Sequence, residues 1–212
     1  MLRRFSGAAS EDSHDLLREQ QAGRRTGEER SKGIDRKIGR DAAMAAGGAV
    51  HRALETWDLF ADPGDETARQ RDLLPSYLGS LAEVDVAARA LPLAAELLNG
   101  FAGSPLLARL RDLKEHVVAR ELPVLLPPSG AGAVGVVSGT IDLLYRDPGT
   151  GRLVVADYKT DDPTVIEARV AAYAPQGGAY VRALREALEL EEEPRFELWF
   201  LRAERVVEVQ GT

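Results

Sequence analysis

The chain has no cysteine among its 212 residues. Disulfides, thiolate zinc sites and iron–sulfur clusters are therefore excluded, and any bound metal must be held by oxygen and imidazole. Imidazole is itself scarce, with three histidines in the whole sequence. No apolar run approaches the ~18–20 residues of a membrane span. The start, Met1-Leu2-Arg3-Arg4-Phe5-Ser6, lacks the apolar core of a secretory signal, which predicts a cytoplasmic protein. There is no G-x-x-x-x-G-K-[ST] phosphate loop, so the sequence carries no such nucleotide-driven motor. A basic surplus is missing as well. The net charge is −7, which argues against gripping nucleic acid by bulk electrostatics.

What is present is ordinary for a globular α/β domain, with 44% hydrophobic and 29% charged residues. The charge is uneven. Residues 1–40 hold 10 Lys/Arg against 7 Asp/Glu, so the remainder is strongly acidic. Residues 1–32 are polar and poor in aliphatics, which predicts a flexible tail or linker ahead of a domain over 33–212.

Helical spacing starts near Gly33, with Val50, Leu54 and Trp57 on one face, and Ala61-Asp62-Pro63-Gly64-Asp65 ends that block. A second helix is expected over about 66–79. A third carries Leu81, Val84, Ala88, Leu91, Ala95 and Leu98 as its apolar stripe, with Pro92 kinking or splitting it. Ser104-Pro105 opens a short helix to about Leu113. A strand follows over His116–Leu126, then Pro127-Pro128-Ser129-Gly130 as a linker into a hairpin. After Asp161-Asp162-Pro163 a helical segment is expected, with a fresh helix opening at Tyr173-Ala174-Pro175-Gln176 and running to about Leu190. Phe196, Leu198 and Phe200 alternate on one face of a strand, and Val206, Val207 and Val209 lie in the last strand. No internal repeat occurs. The order of helical block, three strands, helix and two strands predicts a mixed central sheet flanked by helices.

The hairpin carries the chemistry. Its strands are Ser138-Gly139-Thr140-Ile141-Asp142 onward and Ala156-Asp157-Tyr158-Lys159-Thr160, joined through Arg146-Asp147-Pro148-Gly149-Thr150-Gly151. Strand alternation sends Asp157 and Lys159 to one face and Tyr158 to the other. In the first strand it sends Ile141, Leu143 and Tyr145 to one face and Ser138, Thr140 and Asp142 to the opposite one. Pairing then gathers Asp142, Asp157 and Lys159 on one polar surface. Two carboxylates and an ammonium are costly to desolvate without a purpose, and a divalent cation between them makes a phosphoryl-transfer site.

The succession G-x-I-D, hairpin, D-Y-K-T-D resembles the PD-(D/E)XK nuclease superfamily. More narrowly, it resembles the nuclease domain at the C-terminus of RecB and AddA helicase–nucleases. That resemblance covers about residues 41–212 and implies a restriction-endonuclease-like core. It also implies Mg²⁺ (or Mn²⁺) as cofactor, DNA as substrate and a helicase as partner, in break repair or recombination. Asp142 and Asp157 would be metal ligands, helped by the backbone carbonyl of Tyr158, and Lys159 would sit near the scissile phosphate. Gly47-Gly48-Ala49-Val50-His51-Arg52-Ala53-Leu54-Glu55 is similar to the family's G-x-x-x-H-x-x-L-E segment. His51 would then reach the metal from a helix, with Glu55 one turn on. Glu121, before Pro123, stands where the family has an acidic residue, able to hold a second metal or a metal-bound water. Gln176 and Tyr180 match its Q-x-x-x-Y motif after Y-x-P. Gly177-Gly178 departs from the bulky residues usual there and predicts a loose helix start. The four-cysteine cluster of some relatives is ruled out.

Blander roles remain open for each group: a surface ion pair for Asp157 and Lys159, a structural helix histidine for His51, and solvated side chains for Glu121, Gln176 and Tyr180. A catalytically silent module that guides DNA or scaffolds a helicase is the competing function, although Asp157 and Lys159 are both retained. A restriction or phage-recombination nuclease lineage is a third reading, and the histidine helix and the Q-x-x-x-Y helix speak against it.

Overall fold

A computed structural model describes residues 37–126 and 137–209. The tail expected over 1–32 and the Pro127-Pro128-Ser129-Gly130 linker lie outside the described residues. Helix α1 spans residues 37–55, followed by α2 (Pro63–Leu81), α3 (Val84–Ala102) and α4 (Pro105–Asp112). Strands β1 (Val117–Leu126), β2 (Val137–Arg146) and β3 (Leu153–Lys159) follow, then α5 (Ile166–Ala187), β4 (Arg195–Phe200) and β5 (Arg205–Val209). The five strands lie in sequence order. All neighbours pair antiparallel except β3 and β4, which run parallel because α5 carries the chain back across the sheet.

Local chemistry sets the boundaries. Ala61–Asp65 does not simply end a helix. The Asp62 side chain accepts from the Gly64 and Asp65 N–H groups and caps α2, with Pro63 in its first turn. Ser104 caps α4 in the same way through Leu106 N–H. In the β2–β3 turn, Asp147 Oδ1 accepts from the N–H groups of Gly149 and Thr150 and from the Thr150 hydroxyl. Gly151 takes the left-handed conformation there (φ 72°) that glycine adopts without strain.

The sheet has a different apolar layer on each face. Helices α1–α4 bury Val50, Leu54, Trp57, Leu74, Leu98 and Phe101 against Leu143, Tyr145, Val154, Ala156, Tyr158 and Trp199. Helix α5 covers the other face, where Tyr180, Val181 and Leu184 meet Ile141, Leu144, Val155, Phe196, Leu198 and Phe200.

Three expectations are corrected. The stripe expected on α3 holds at Leu98, and half-buried at Ala95, but not before them: Leu81 ends α2 and is 48% exposed, Val84 is 81% exposed, and the buried face is Ala90, Ala94, Leu98 and Phe101. Apolar residues surround this helix, so periodicity alone could not choose its inner face. Neither Pro92 nor Pro175 breaks its helix, so no new helix begins at Tyr173 and α5 is continuous. A mid-helix proline costs ~3 kcal/mol, which the buried face of α5 (Ile166, Gly177, Tyr180, Val181, Leu184) offsets. Finally, Gly177 does not loosen α5. A Cβ there would lie 2.1 Å from the Phe196 ring, so the missing side chain lets the helix seat against β4.

Candidate active site

The alternation expected along β2 fails at one point. Leu143 and Tyr145 pack toward α1–α4, while Ile141 packs with Leu144 toward α5. Ile141 therefore does not share a face with Leu143, and side-chain parity slips at Asp142. The same slip occurs opposite, where Ala119 and Leu122 both pack toward α5. Glu121 lies between them in the left-handed region, with φ 48°. The pairs on either side, Arg120↔Leu143 and Leu122↔Ile141, keep register, so Glu121 and Asp142 face one another across the slip. A left-handed backbone is strained for a glutamate and is held by what surrounds it.

At the same level β2 parts from β3. Their pairing runs from Arg146↔Leu153 to Leu143↔Ala156. Beyond it, Asp142 Oδ2 accepts from the Tyr158 N–H at 2.6 Å, a side chain standing in for a ladder carbonyl. Asp142 Oδ1 lies 3.3 Å from His51 Nδ1, which α1 brings from the helical face. Asp157 projects to the α5 face, where its Oδ2 is 2.5 Å from Lys159 Nζ. The Asp142, Asp157 and Lys159 grouping is thus present, but it is not the polar surface expected. Asp142 is 6% and Asp157 3% exposed, because the helical layers close over both faces.

His51, Glu121 and Asp142 can each bring one ligand atom within 4.8 Å of the other two. The electrostatics are those of crowded acids. Burial and the neighbouring Asp142 charge push both Glu121 and Asp157 up to about 7. Lys159 pulls Asp157 the other way and is outweighed. Burial would also raise Asp142, but the His51 and Tyr158 hydrogen bonds reverse this and hold it below the usual carboxylate range. His51 is lifted above its ordinary value, since its Asp142 hydrogen bond and the surrounding carboxylate charges overcome burial. Within this pair the surroundings favour the ionised form of Asp142 and the protonated form of Asp157. A buried set of carboxylates and one imidazole that holds protons near neutrality suits a hard divalent cation in their place.

The family model of the PD-(D/E)XK nuclease superfamily matches residues 18–211, nearly the whole chain. The chain belongs to this superfamily. No curated protein matches it. PD-(D/E)XK nucleases use divalent metals, and the His51–Glu121–Asp142 group is one that can hold a metal ion. No helix among the described residues is long and apolar enough to cross a membrane.

The remaining candidates fall into two groups. Tyr158 turns its ring into the α1–α4 layer, edge-on to His51 and Trp199. Glu55 pairs with Arg52 on the outside of α1. Gln176 Nε2 donates to the Tyr180 hydroxyl at 2.8 Å, and the Tyr180 ring packs over the bare backbone of Gly139. That pair projects from α5 over the Gly139 end of β2, and its two members are in contact with each other.

Two residues that shape the site, Arg120 and Glu197, gave no motif signal, and Gly47 was read only as part of the histidine segment. Arg120 Nη1 donates to the carbonyls of Leu54, Glu55 and Trp57, so it caps the end of α1 from β1, next to Glu121. Gly47 lets α1 approach Thr160, whose hydroxyl would lie 2.9 Å from an added Cβ. Glu197, buried behind the sheet, accepts from Arg109, Tyr145, Arg195 and Trp199. The fully used lone pairs of Glu197 mark it as structural.

Proposed function

We propose that this chain is a Mg²⁺-dependent deoxyribonuclease of RecB/AddA type, more an exonuclease than an endonuclease, working on strands that a helicase delivers in break repair or recombination. Residues 33–212 would be the nuclease domain and 1–32 its link to a motor. The observation carrying this reading is Asp142 in the gap between β2 and β3, with His51 on one side and Asp157 on the other. The acidic body supports a delivered substrate, because a chain of net charge −7 gains little from phosphate attraction.

His51, Glu121, Asp142 and Asp157 would hold the cation, with the Tyr158 carbonyl as a further oxygen. Bound there, Mg²⁺ supplies Lewis-acid stabilisation of charge on the scissile phosphate. Lys159, anchored by Asp157, would present its ammonium to the phosphate, orient the attacking water and offset charge in the transition state. Gln176 and Tyr180, already hydrogen-bonded, would meet phosphate oxygens further along the strand or brace Lys159.

The test is purified protein with Mg²⁺ or Mn²⁺ on linear and circular, single- and double-stranded DNA, with EDTA and Asp157→Ala as controls. Degradation of linear DNA only, abolished by both controls, is expected. A silent guiding module would bind DNA and leave every substrate intact.

A further inference from the structure

Lys159 is clasped rather than free. Its Nζ meets Asp157 Oδ2 on one side, and on the other it lies 4.0 Å from the centre of the Tyr173 ring. Tyr173 stands in the first half of α5, and its own edge is fixed. The phenol donates to Asp161 Oδ2 at 2.9 Å, while Asp161 Oδ1 pairs with Arg169 Nε at 2.9 Å. Asp161 lies two residues beyond Lys159, in the connection from β3 to α5. Lysine, ring, carboxylate and arginine thus form one continuous chain of contacts between the end of β3 and the helix.

We propose that Tyr173 is a positioning residue that holds the Lys159 ammonium at its working place through a cation–π contact, braced by Asp161 and Arg169. The proposal rests on the reading of Lys159 as the group that meets the phosphate. A lysine head on a flexible four-carbon stem has many rotamers, and catalysis by a preorganised charge needs one. Asp157 alone is a poor anchor, because the same carboxylate is claimed by the metal site. A neutral aromatic face attracts an ammonium without neutralising it, takes no proton from it and does not compete for the metal. Donation from the phenol to the Asp161 carboxylate leaves the ring richer in electrons, which strengthens the attraction.

The test replaces Tyr173 in the full chain with Phe, with Leu and with a series of progressively fluorinated phenylalanines, whose ring shape is nearly constant while the negative face weakens. Tyr173→Leu should lower kcat about tenfold, with KM for DNA and Mn²⁺ affinity unchanged, and Tyr173→Phe should restore most of the rate. Along the fluorinated series kcat should fall stepwise at constant melting temperature. A second readout needs no cleavage: acylation of Lys159 by an amine-reactive ester, quantified by mass spectrometry, should rise stepwise as the lysine is released. If rate and Lys159 labelling stay flat along the fluorinated series, or Leu performs as well as Phe, the assignment is wrong. If the wild-type chain cleaves nothing, the nuclease reading fails, and the labelling series alone decides whether Tyr173 holds the lysine.

Discussion

Glu121 and Asp142 face each other across β1 and β2 at the point where side-chain alternation slips in both strands. The slip turns two carboxylates and the His51 ring toward one small volume, at the cost of a left-handed backbone at Glu121. A hairpin in perfect alternation would keep Ile141 on the face of Leu143 and send Asp142 to the face of Leu144, away from the layer that carries His51.

The protons held by this cluster make stability depend on pH. Glu121 and Asp157 sit at about 7 in the folded chain, well above ordinary carboxyl values, and His51 is raised above its own. The folded state therefore binds protons that the unfolded chain has already released, so stability falls as pH rises through this window. Without metal, the melting temperature should decline between about pH 5 and about pH 8. Millimolar Mg²⁺ should flatten the decline, because the cation replaces the protons. Metal-binding affinity should accordingly rise over the same range. A metal-free melting temperature that is level or rising from pH 5 to 8 would contradict this account.

Arg120 links the two elements that carry His51 and Glu121. Its three carbonyl bonds tie β1 to Leu54 and Glu55 at the end of α1 and to Trp57 just beyond it. Arg120→Ala should cost about 1–3 kcal/mol of stability. It should also weaken Mn²⁺ binding in titration calorimetry, although no metal ligand has changed. Arg120→Lys, a point charge without the planar fork, should recover only part of either.

The element order and the mixed sheet were legible because apolar periodicity, Ser104-Pro105 and the Asp147–Gly151 turn are local signals. The residues Asp142, Asp157, Lys159 and His51 were legible as motif members, and the structure brings these four together with Glu121. The facing of Ile141 was not legible, since it depends on the backbone of Glu121 in another strand. Nor were the roles of Arg120 and Tyr173, which act on partners far along the chain or across an element boundary. Gly177 was misread because propensity describes a helix alone, whereas its value lies in the approach to Phe196.

The two adjacent glycines of α5 should therefore answer to alanine with opposite signs. Gly178 has open space around it, so Gly178→Ala should stabilise by up to about 1 kcal/mol through helix propensity. Gly177→Ala gains the same propensity but drives a methyl into the Phe196 ring, and overpacking of this kind costs about 1–3 kcal/mol. Melting curves of the two variants check this. Equal effects would mean that α5 does not press on β4 at this point.

The sharpest separation of catalysis from stability lies at Asp157 and Lys159, because both are more buried than a solvated strand face would leave them. Asp157→Asn imitates the protonated form and removes one of two crowded charges. The metal-free variant should melt at or above the wild-type temperature at pH 8, while metal affinity and cleavage collapse. Lys159→Ala takes away the ammonium 2.5 Å from Asp157 and leaves every carboxylate in place. Metal should still bind, and cleavage should fall about 10²–10³-fold, as for the loss of one preorganised charge at a transition state. Its stability should drop more at pH 8 than at pH 5, because Asp157 is protonated at the lower pH and has little use for a counter-charge there. Calorimetric titration, melting curves at both pH values and a nuclease assay on the two variants give all of these quantities. Wild-type cleavage by Lys159→Ala would leave the lysine as a structural charge and remove the centre of the nuclease reading.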